Sequence, residues 1–303
     1  ELNELEKKIT FFHAQVIEEI SNDINLDLIG FHGQTIYHNP SVNLSLQLGN
    51  GKLLSQLIKK NLIFNFRSND IKNGGEGAPL KPIFHKILLK KIRQIVPVGI
   101  LNIGGISNFT FIEDYKNDKI YSSDIGPGNC LVDQWIQSNT NNFYDDQGKI
   151  SSRGKVNQVL LESALESYEN IQFRNKTFDI SDFNISFARG LSIEDGAATI
   201  IEYTAKIISS SLNSFLEKHK TKYIDVLICG GGRKNKYLIN KINSYSSNKF
   251  KLVDIDKFKV NGDFIESQAF AYLAIRSYLN LPITFPKTTG CNKPISGGEL
   301  IKY

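Results

Sequence analysis

The residues with the most chemical promise sit in one short stretch, Asp124-Ile125-Gly126-Pro127-Gly128-Asn129. An apolar run precedes it, so the sequence predicts an aspartate presented at a strand end and held by a stiff Gly-Pro-Gly turn. A carboxylate placed there can take a proton from a hydroxyl or a water, which is what phosphoryl transfer asks of a protein base. An aspartate in this setting can equally well bond its own backbone in a plain turn. Two more glycine-rich turns follow predicted strands: Gly104-Gly105, within Leu101 to Asn108, and Gly230-Gly231-Gly232, within Cys229 to Asn235. Glycine permits positive φ and close approach of the main chain, and successive N–H groups then cradle an anion. Any one such turn could be a ligand-free bend. Three at strand ends point to a shared ligand, because ligands of α/β sheets lie beyond the carboxyl ends of strands. None is a Walker A sequence, and no GxGxxG is followed by an acidic residue at dinucleotide spacing.

A second group is rich in side-chain donors and acceptors. His32-Gly33-Gln34-Thr35 closes the apolar run Leu26 to Phe31 and is expected as a loop at a strand end. It suits a polyhydroxylated ligand, although His32 taken alone fits a structural role as well. Arg67 and Asp70 follow another strand and precede the loop Asn73 to Pro79. They could clamp a carboxylate or hydroxyl, or pair with each other.

Positioning these groups takes an ordered series of elements. Apolar residues at spacings of three and four predict a helix over 2–20. Alternation predicts a strand at Leu44, Leu46 and Leu48; a helix over 52–60 and a strand from Leu62 to Phe66 follow. Pro79 or Pro82 opens a helix reaching about Lys91. Strands are then expected at 98–103, 108–112, 119–123, 224–229 and 251–254. Helices are expected at 130–138, 154–168, 235–244 and 264–280, with a long one capped by Ser192 and ending near His219. This interleaving predicts an α/β protein with mixed sheets flanked by helices, in two lobes dividing near 92–98. The expected lobes are 1–95 and 96–303.

Composition narrows the classes. The chain has 303 residues, above the size at which one core stops growing, and 41% are hydrophobic. Its net charge of +5 is spread without a basic stripe, which argues against a nucleic-acid partner, and no apolar run is long enough to span a membrane. The cysteines Cys130, Cys229 and Cys291 are odd in number and far apart, which fits a reducing cytoplasm and buried apolar roles. The sequence contains no methionine.

Taken together, FHGQTIYH (31–38), FRSNDIKNGGEGAPLKPIFH (66–85), LNIGGISNFT (101–110), SDIGPGNCLVDQW (123–135), SIEDGAAT (192–199) and CGGGRKN (229–235) closely resemble the anhydro-N-acetylmuramic acid kinases. The segments NGDFIESQAFAYLAIRSYLNLP (261–282) and TTG (288–290) resemble that family as well. The resemblance implies a two-lobed actin-like ATPase of ribonuclease H-like fold, with Gly298 to Tyr303 returning to lobe one. It implies a cytoplasmic bacterial enzyme of peptidoglycan recycling, usually a homodimer, that uses ATP and Mg²⁺. Water would open 1,6-anhydro-N-acetylmuramic acid at C1 while O6 receives the γ-phosphoryl group, giving N-acetylmuramic acid 6-phosphate.

Carried onto this sequence, the resemblance makes Asp124 the base for that water. It places Gly104 and Gly105 by the phosphates and Gly230, Gly231 and Gly232 at the adenosine end, and counts Asn108, Gly126, Gly128, Asn129 and Asn235 among the cofactor-binding residues. It gives His32, Gln34, Thr35, Arg67, Asp70 and Glu76 to the sugar side or its support. No metal ligand is singled out.

The sequence also departs from the family. Residues 1–30 lack the opening strand and phosphate loop. Asn65 replaces a usual aspartate, Glu76 a frequent glutamine, and Ile125 the usual threonine, removing a hydroxyl beside Asp124. These departures keep open a non-catalytic relative that binds sugar or nucleotide; a superfamily kinase for acetate, glycerol or a hexose is disfavoured, because HGQT (32–35) and the GGEGAP loop (74–79) belong to the anhydromuramic pattern.

Overall fold

The computed structural model describes residues 1–22, 24–116, 119–172 and 178–303. The chain begins as predicted with α1 (Leu2–Ser21), followed by β1 (Leu28–Gly30), β2 (Gln34–Asn39), β3 (Leu44–Leu48), α2 (Gly51–Ile58), β4 (Asn61–Phe64), α3 (Ser68–Lys72) and α4 (Pro82–Lys91). Then come β5 (Val98–Ile103), β6 (Ile106–Ile112), β7 (Ile120–Pro127), α5 (Cys130–Asn139), α6 (Gln158–Gln172), α7 (Ile193–Lys218), β8 (Ile224–Cys229), α8 (Lys236–Ser244) and β9 (Phe250–Asp254). The chain ends with α9 (Ile265–Tyr278), α10 (Pro286–Thr289) and β10 (Glu299–Ile301).

These elements form two units. One contains Glu1–Lys91 and Glu266–Tyr303 with the short stretch 118–120; the other contains the remainder, from residue 92 to Ile265. The expected second lobe, 96–303, is therefore too long. Everything from Glu266 onward packs with the first unit, because β10 pairs antiparallel with β4 and Gly30 of β1 lies directly against the Phe270 carbonyl of α9. A side chain at position 30 would collide there.

In the first unit β4 is the central strand, parallel to β1 on one side and antiparallel to β10 on the other. Leu62 of β4 is fully buried and packs with Phe31 and Leu54. β2 and β3 form a separate antiparallel pair in which Gln34 faces Leu48 and Thr35 faces Gln47. Gln34 and Thr35, expected in a loop, thus open a strand. The sequence shows a polar cluster there, and only the distant partner makes it extended.

The second unit has the strand order β7-β6-β5-β8-β9, with β5–β6 antiparallel and β5–β8–β9 parallel, the mixed sheet the sequence predicted. Its core joins Leu101, Phe109, Leu131, Trp135 and the apolar face of α7. The predicted Ser192 cap is present, its hydroxyl accepting the Asp195 N–H at 3.1 Å. α6 starts later than expected, at Gln158 rather than 154, because Gly154 is pressed on the Glu194 carbonyl and Asn157 provides the cap. β7 runs on through Asp124 to Pro127 instead of stopping at 123. It lies at the sheet edge, where a proline costs no ladder bond.

Candidate active site

Alternation along β7 decides what Asp124 and Ile125 each do. Neighbours on a strand face opposite sides of the sheet. Ile125 is 4% exposed and belongs to the core of the second unit, whereas Asp124 is half-buried on the other face. The expectation that Ile125 removes a hydroxyl from the active-site turn is therefore corrected: that side chain points into the core. Asp124 Oδ2 accepts the backbone N–H of Phe178 at 3.1 Å, a bond spanning 54 positions and not the local Asx turn.

Beyond β7 the turns are stitched by main chain. Gly128 N–H donates to Gly105 O and Asn129 N–H to Gly104 O, both at 2.8 Å, and Cys130 N–H reaches Gly105 O at 3.3 Å. The buried Ser107 hydroxyl donates to Pro127 O at 3.1 Å. Packing explains most of the glycines. A Cβ at Gly128 would overlap Gly104 O, one at Gly126 would meet Ile207 of α7, and one at Gly232 would meet Ile103. Gly230, at φ 80°, would strike Ile103 O at 2.6 Å. Gly104 and Gly231 differ: the nearest atom to a Cβ at 104 is 3.6 Å away, and none lies within 4 Å at 231. Gly231 thus has open space in front of it, while a Cβ at Gly104 would make only ordinary van der Waals contacts. Asn108 lies inside β6, paired with Asn102.

Arg233, directly after the three glycines, fixes their turn. Its guanidinium is 3% exposed and donates to Gly230 O at 3.0 Å, Asp263 at 2.6 Å and Asp256 at 2.9 Å, with Asp254 at 3.6 Å. Burial alone would lower its pKa; the Asp263 and Asp256 carboxylates outweigh this and raise it. Asp263, bonded by Arg233 and then Lys234, is held down at about 2. Sequence reasoning missed this cage because its carboxylates lie 21 to 30 positions away.

A cavity of about 350 Å³ opens beside this turn, lined by Asn129, Asp133, Tyr144, Asp145, Asp146, Gln147, Gly231, Lys234 and Asn235. Of the phosphate and adenosine candidates it gathers Asn129, Gly231 and Asn235; Gly104, Gly105, Asn108, Gly126, Gly128, Gly230 and Gly232 lie outside its lining, as does Asp124. Asn235 is 5% exposed and uses its side-chain oxygen to cap α8 at Leu238 N–H, 3.0 Å. The 144–147 stretch and Asp133 were not anticipated. Asp133 carried a signal, standing one helical turn beyond Asn129.

In the first unit the polar side chains hold one another. Arg67 Nε donates to His32 Nε2 at 2.9 Å, so the His32 proton sits on Nδ1, which donates to Gly33 O at 2.8 Å. Burial first, then the Arg67 charge, push the imidazole down to about 4. Arg67 also donates to Gly77 O at 2.6 Å. Asp70 is 1% exposed; it accepts the Gly77 N–H at 2.7 Å and the Thr289 hydroxyl at 2.8 Å. Its carboxylate thus shapes the 74–77 loop from within. Glu76 is tied through its N–H to Thr289 O at 2.8 Å. Gln34 is exposed, and Thr35 accepts from Gln47 at 3.3 Å.

Asn65 sits at φ 54°, a conformation asparagine tolerates, and bonds Ser68 and Glu299. Glu266, unforeseen, lies 3.4 Å from Lys81, whose charge draws its carboxyl below the ordinary range against the opposing effect of burial. A cavity of about 340 Å³ lined by His32, Gln47, Lys52 and Asn65 lies here; Gln34, Thr35, Arg67, Asp70 and Glu76 do not line it. Among the described residues no three His, Cys, Asp or Glu are grouped to hold a metal, and no helix is long and apolar enough to cross a membrane.

A family model described as anhydro-N-acetylmuramic acid kinase matches residues 1–302. The chain belongs to the anhydro-N-acetylmuramic acid kinase family. A protein of that name from Pelagibacter ubique is 48% identical over 305 residues, covering 100% of this chain and 81% of its own. Those of Zymomonas mobilis and Rhizobium etli are 39% and 37% identical, covering 96% and 99% of this chain and 79% and 81% of theirs. A solved activator of 2-hydroxyisocaproyl-CoA dehydratase from Clostridium difficile, with bound ADPNP, overlaps at TM-score 0.36 and 16% identity over 59% of this chain and 60% of its own, and adds nothing to the assignment.

Proposed function

We propose that this chain is an ATP-dependent anhydro-N-acetylmuramic acid kinase with Asp124 as its base. Water adds its oxygen to C1 of the anhydro-sugar as the C1–O6 bond breaks. O6 takes the γ-phosphoryl group as the bond from that phosphorus to the β-bridging oxygen breaks, leaving ADP. The water's proton passes to Asp124. The observation that carries this is the family match over 1–302, to which β7 adds the physical sense: its alternation turns Asp124 away from the core while Ile125 goes into it.

The Phe178 N–H fixes the Asp124 carboxylate without neutralising it. Gly104, where a Cβ would make only ordinary contacts, offers main chain to the phosphates. The His32–Arg67–Asp70 cluster serves the sugar. With no three-ligand group among the described residues, Mg²⁺ fits as an ion carried mainly by the nucleotide's phosphates and water, where it would neutralise charge. A homodimer, implied by the resemblance, belongs to the same reading. The non-catalytic alternative loses one motive, because Ile125 lies in the core.

Replacing Asp124→Asn is expected to slow sugar-dependent ADP release on the order of 10³-fold while ATP affinity stays within a few-fold. Turnover equal to the unmodified protein would remove Asp124 from the role of base. No release from the full-length protein with ATP, Mg²⁺ and the anhydro-sugar would refute the kinase reading.

A further inference from the structure

The Asp124 carboxylate turns about a torsion with only a broad preference of its own, so something else must select its orientation. Its Oδ2 accepts the Phe178 backbone N–H at 3.1 Å. A backbone N–H goes where its residue goes, and two restraints fix Phe178. The first is its ring, packed on the core of the second unit against Tyr168 of α6 and Phe183, with centroids 6.1 and 5.5 Å away. Tyr168 and Phe183 are each 6% exposed and stack on one another, and the Tyr203 ring of α7 meets Tyr168 edge-on. The second restraint is the turn that follows. Asp179 accepts the Ser181 N–H at 3.0 Å while its own N–H donates to Asp182 at 2.7 Å, a reciprocal pair that stiffens 179–182. Within that turn the tip of Ile180 lies 3.2 Å from where a Cβ at Gly105 would stand. One short segment thus touches both Asp124 and the Gly104–Gly105 turn.

We infer that Phe178 is a positioning residue of the reaction: its ring, anchored on Tyr168 and Phe183, places the N–H that orients the Asp124 carboxylate. The inference rests on Asp124 being the base. It makes the aromatic cluster of α6 and α7 part of what aims that base, although no ring in it needs to touch a substrate.

Sugar-dependent ADP release by the full-length protein, followed against pH, tests it. Phe178→Ala removes the ring and leaves the N–H unanchored. Its kcat is expected to fall on the order of tenfold, with KM for ATP and for the sugar within about threefold. An N–H bonded to a carboxylate favours the charged form, so loosening it should also move the acid limb of the kcat/KM profile to higher pH, by about half a unit. Phe178→Leu, which returns an apolar side chain to the same place, should restore most of both. In an Asp124→Asn background there is no base left to orient, so adding Phe178→Ala should change the residual single-turnover rate by less than about twofold. Equal slowing in both backgrounds, or an unmoved acid limb, would overturn the positioning role and leave Asp124 as the base. Asp124→Asn turning over like the unmodified protein would remove the base, and the inference with it. Should urea unfolding show that Phe178→Ala does not fold, Phe178→Val in the same two backgrounds decides.

Discussion

The glycine turns of the second unit and the His32–Arg67–Asp70 cluster of the first keep their shapes by opposite means. Around Gly104 and Gly128 the geometry is held by main-chain bonds and by the absence of a Cβ at Gly128, and the Gly230 turn, equally intolerant of a Cβ, has the Arg233 guanidinium on its carbonyl as well. Around Arg67 and Asp70 it is held by side chains bonding loops far away in sequence. The difference separates two kinds of sensitivity. A main-chain scaffold fails sterically wherever an added side chain meets a neighbouring carbonyl or core side chain. A side-chain scaffold fails by leaving buried polar groups unpaired.

Gly128→Ala should give the largest stability change. Its methyl would overlap a carbonyl oxygen that cannot swing aside, and a loss of about 3 kcal/mol is expected in urea unfolding. Gly231→Ala is the control that sharpens the contrast: its methyl meets open space, so stability should move by less than about 0.5 kcal/mol while ATP affinity falls. Equal destabilisation by both would show that packing does not distinguish the glycines.

Thr289→Val comes next. It removes the hydroxyl from Asp70 Oδ1 and leaves a buried carboxylate short of one donor, at a cost of about 1–3 kcal/mol. Through the 74–77 loop it should raise the KM for the sugar more than that for ATP. A change confined to ATP would detach this loop from the sugar side.

The smallest effect is a slope. His32 titrates at about 4 in the fold against 6.5 unfolded, so between those values the unfolded chain holds the extra proton. Stability should therefore be complete above about pH 6.5 and fall as pH drops toward 4. His85, lowered to about 3, adds to the slope in the same direction, so the measurement is the difference between the unmodified protein and His32→Gln. Urea midpoints that run parallel with pH in the two proteins would mean His32 contributes nothing to it.

Much of the second unit was legible because its signals are local. Strands 98–103 and 224–229 and the Ser192 cap appear as read. What escaped depends on pairing across long separations. Gln34 and Thr35 become a strand only against β3, β10 finds β4 across most of the chain, and Asp70 finds Thr289 after 219 positions. The glycines were noticed for the anions they could cradle. The structure shows that Gly126, Gly128 and Gly232 are first of all places where two pieces of backbone or an isoleucine need the room. The Arg233 cage went unremarked, since its three carboxylates lie 21 to 30 positions away and a lone basic residue has no periodicity to announce it.

The alternation along β7 also sets a rule of inheritance. Side-chain direction there has a period of two, so inserting or deleting a single residue between Ile120 and Asp124 would exchange the fates of Asp124 and Ile125. It would sink a carboxylate into the core and lift an isoleucine to the face Asp124 now occupies. Drift at position 125 among core-sized residues is cheap by comparison. Descendants of this gene can therefore accept substitutions beside the aspartate, but its distance from the start of the strand cannot change by one.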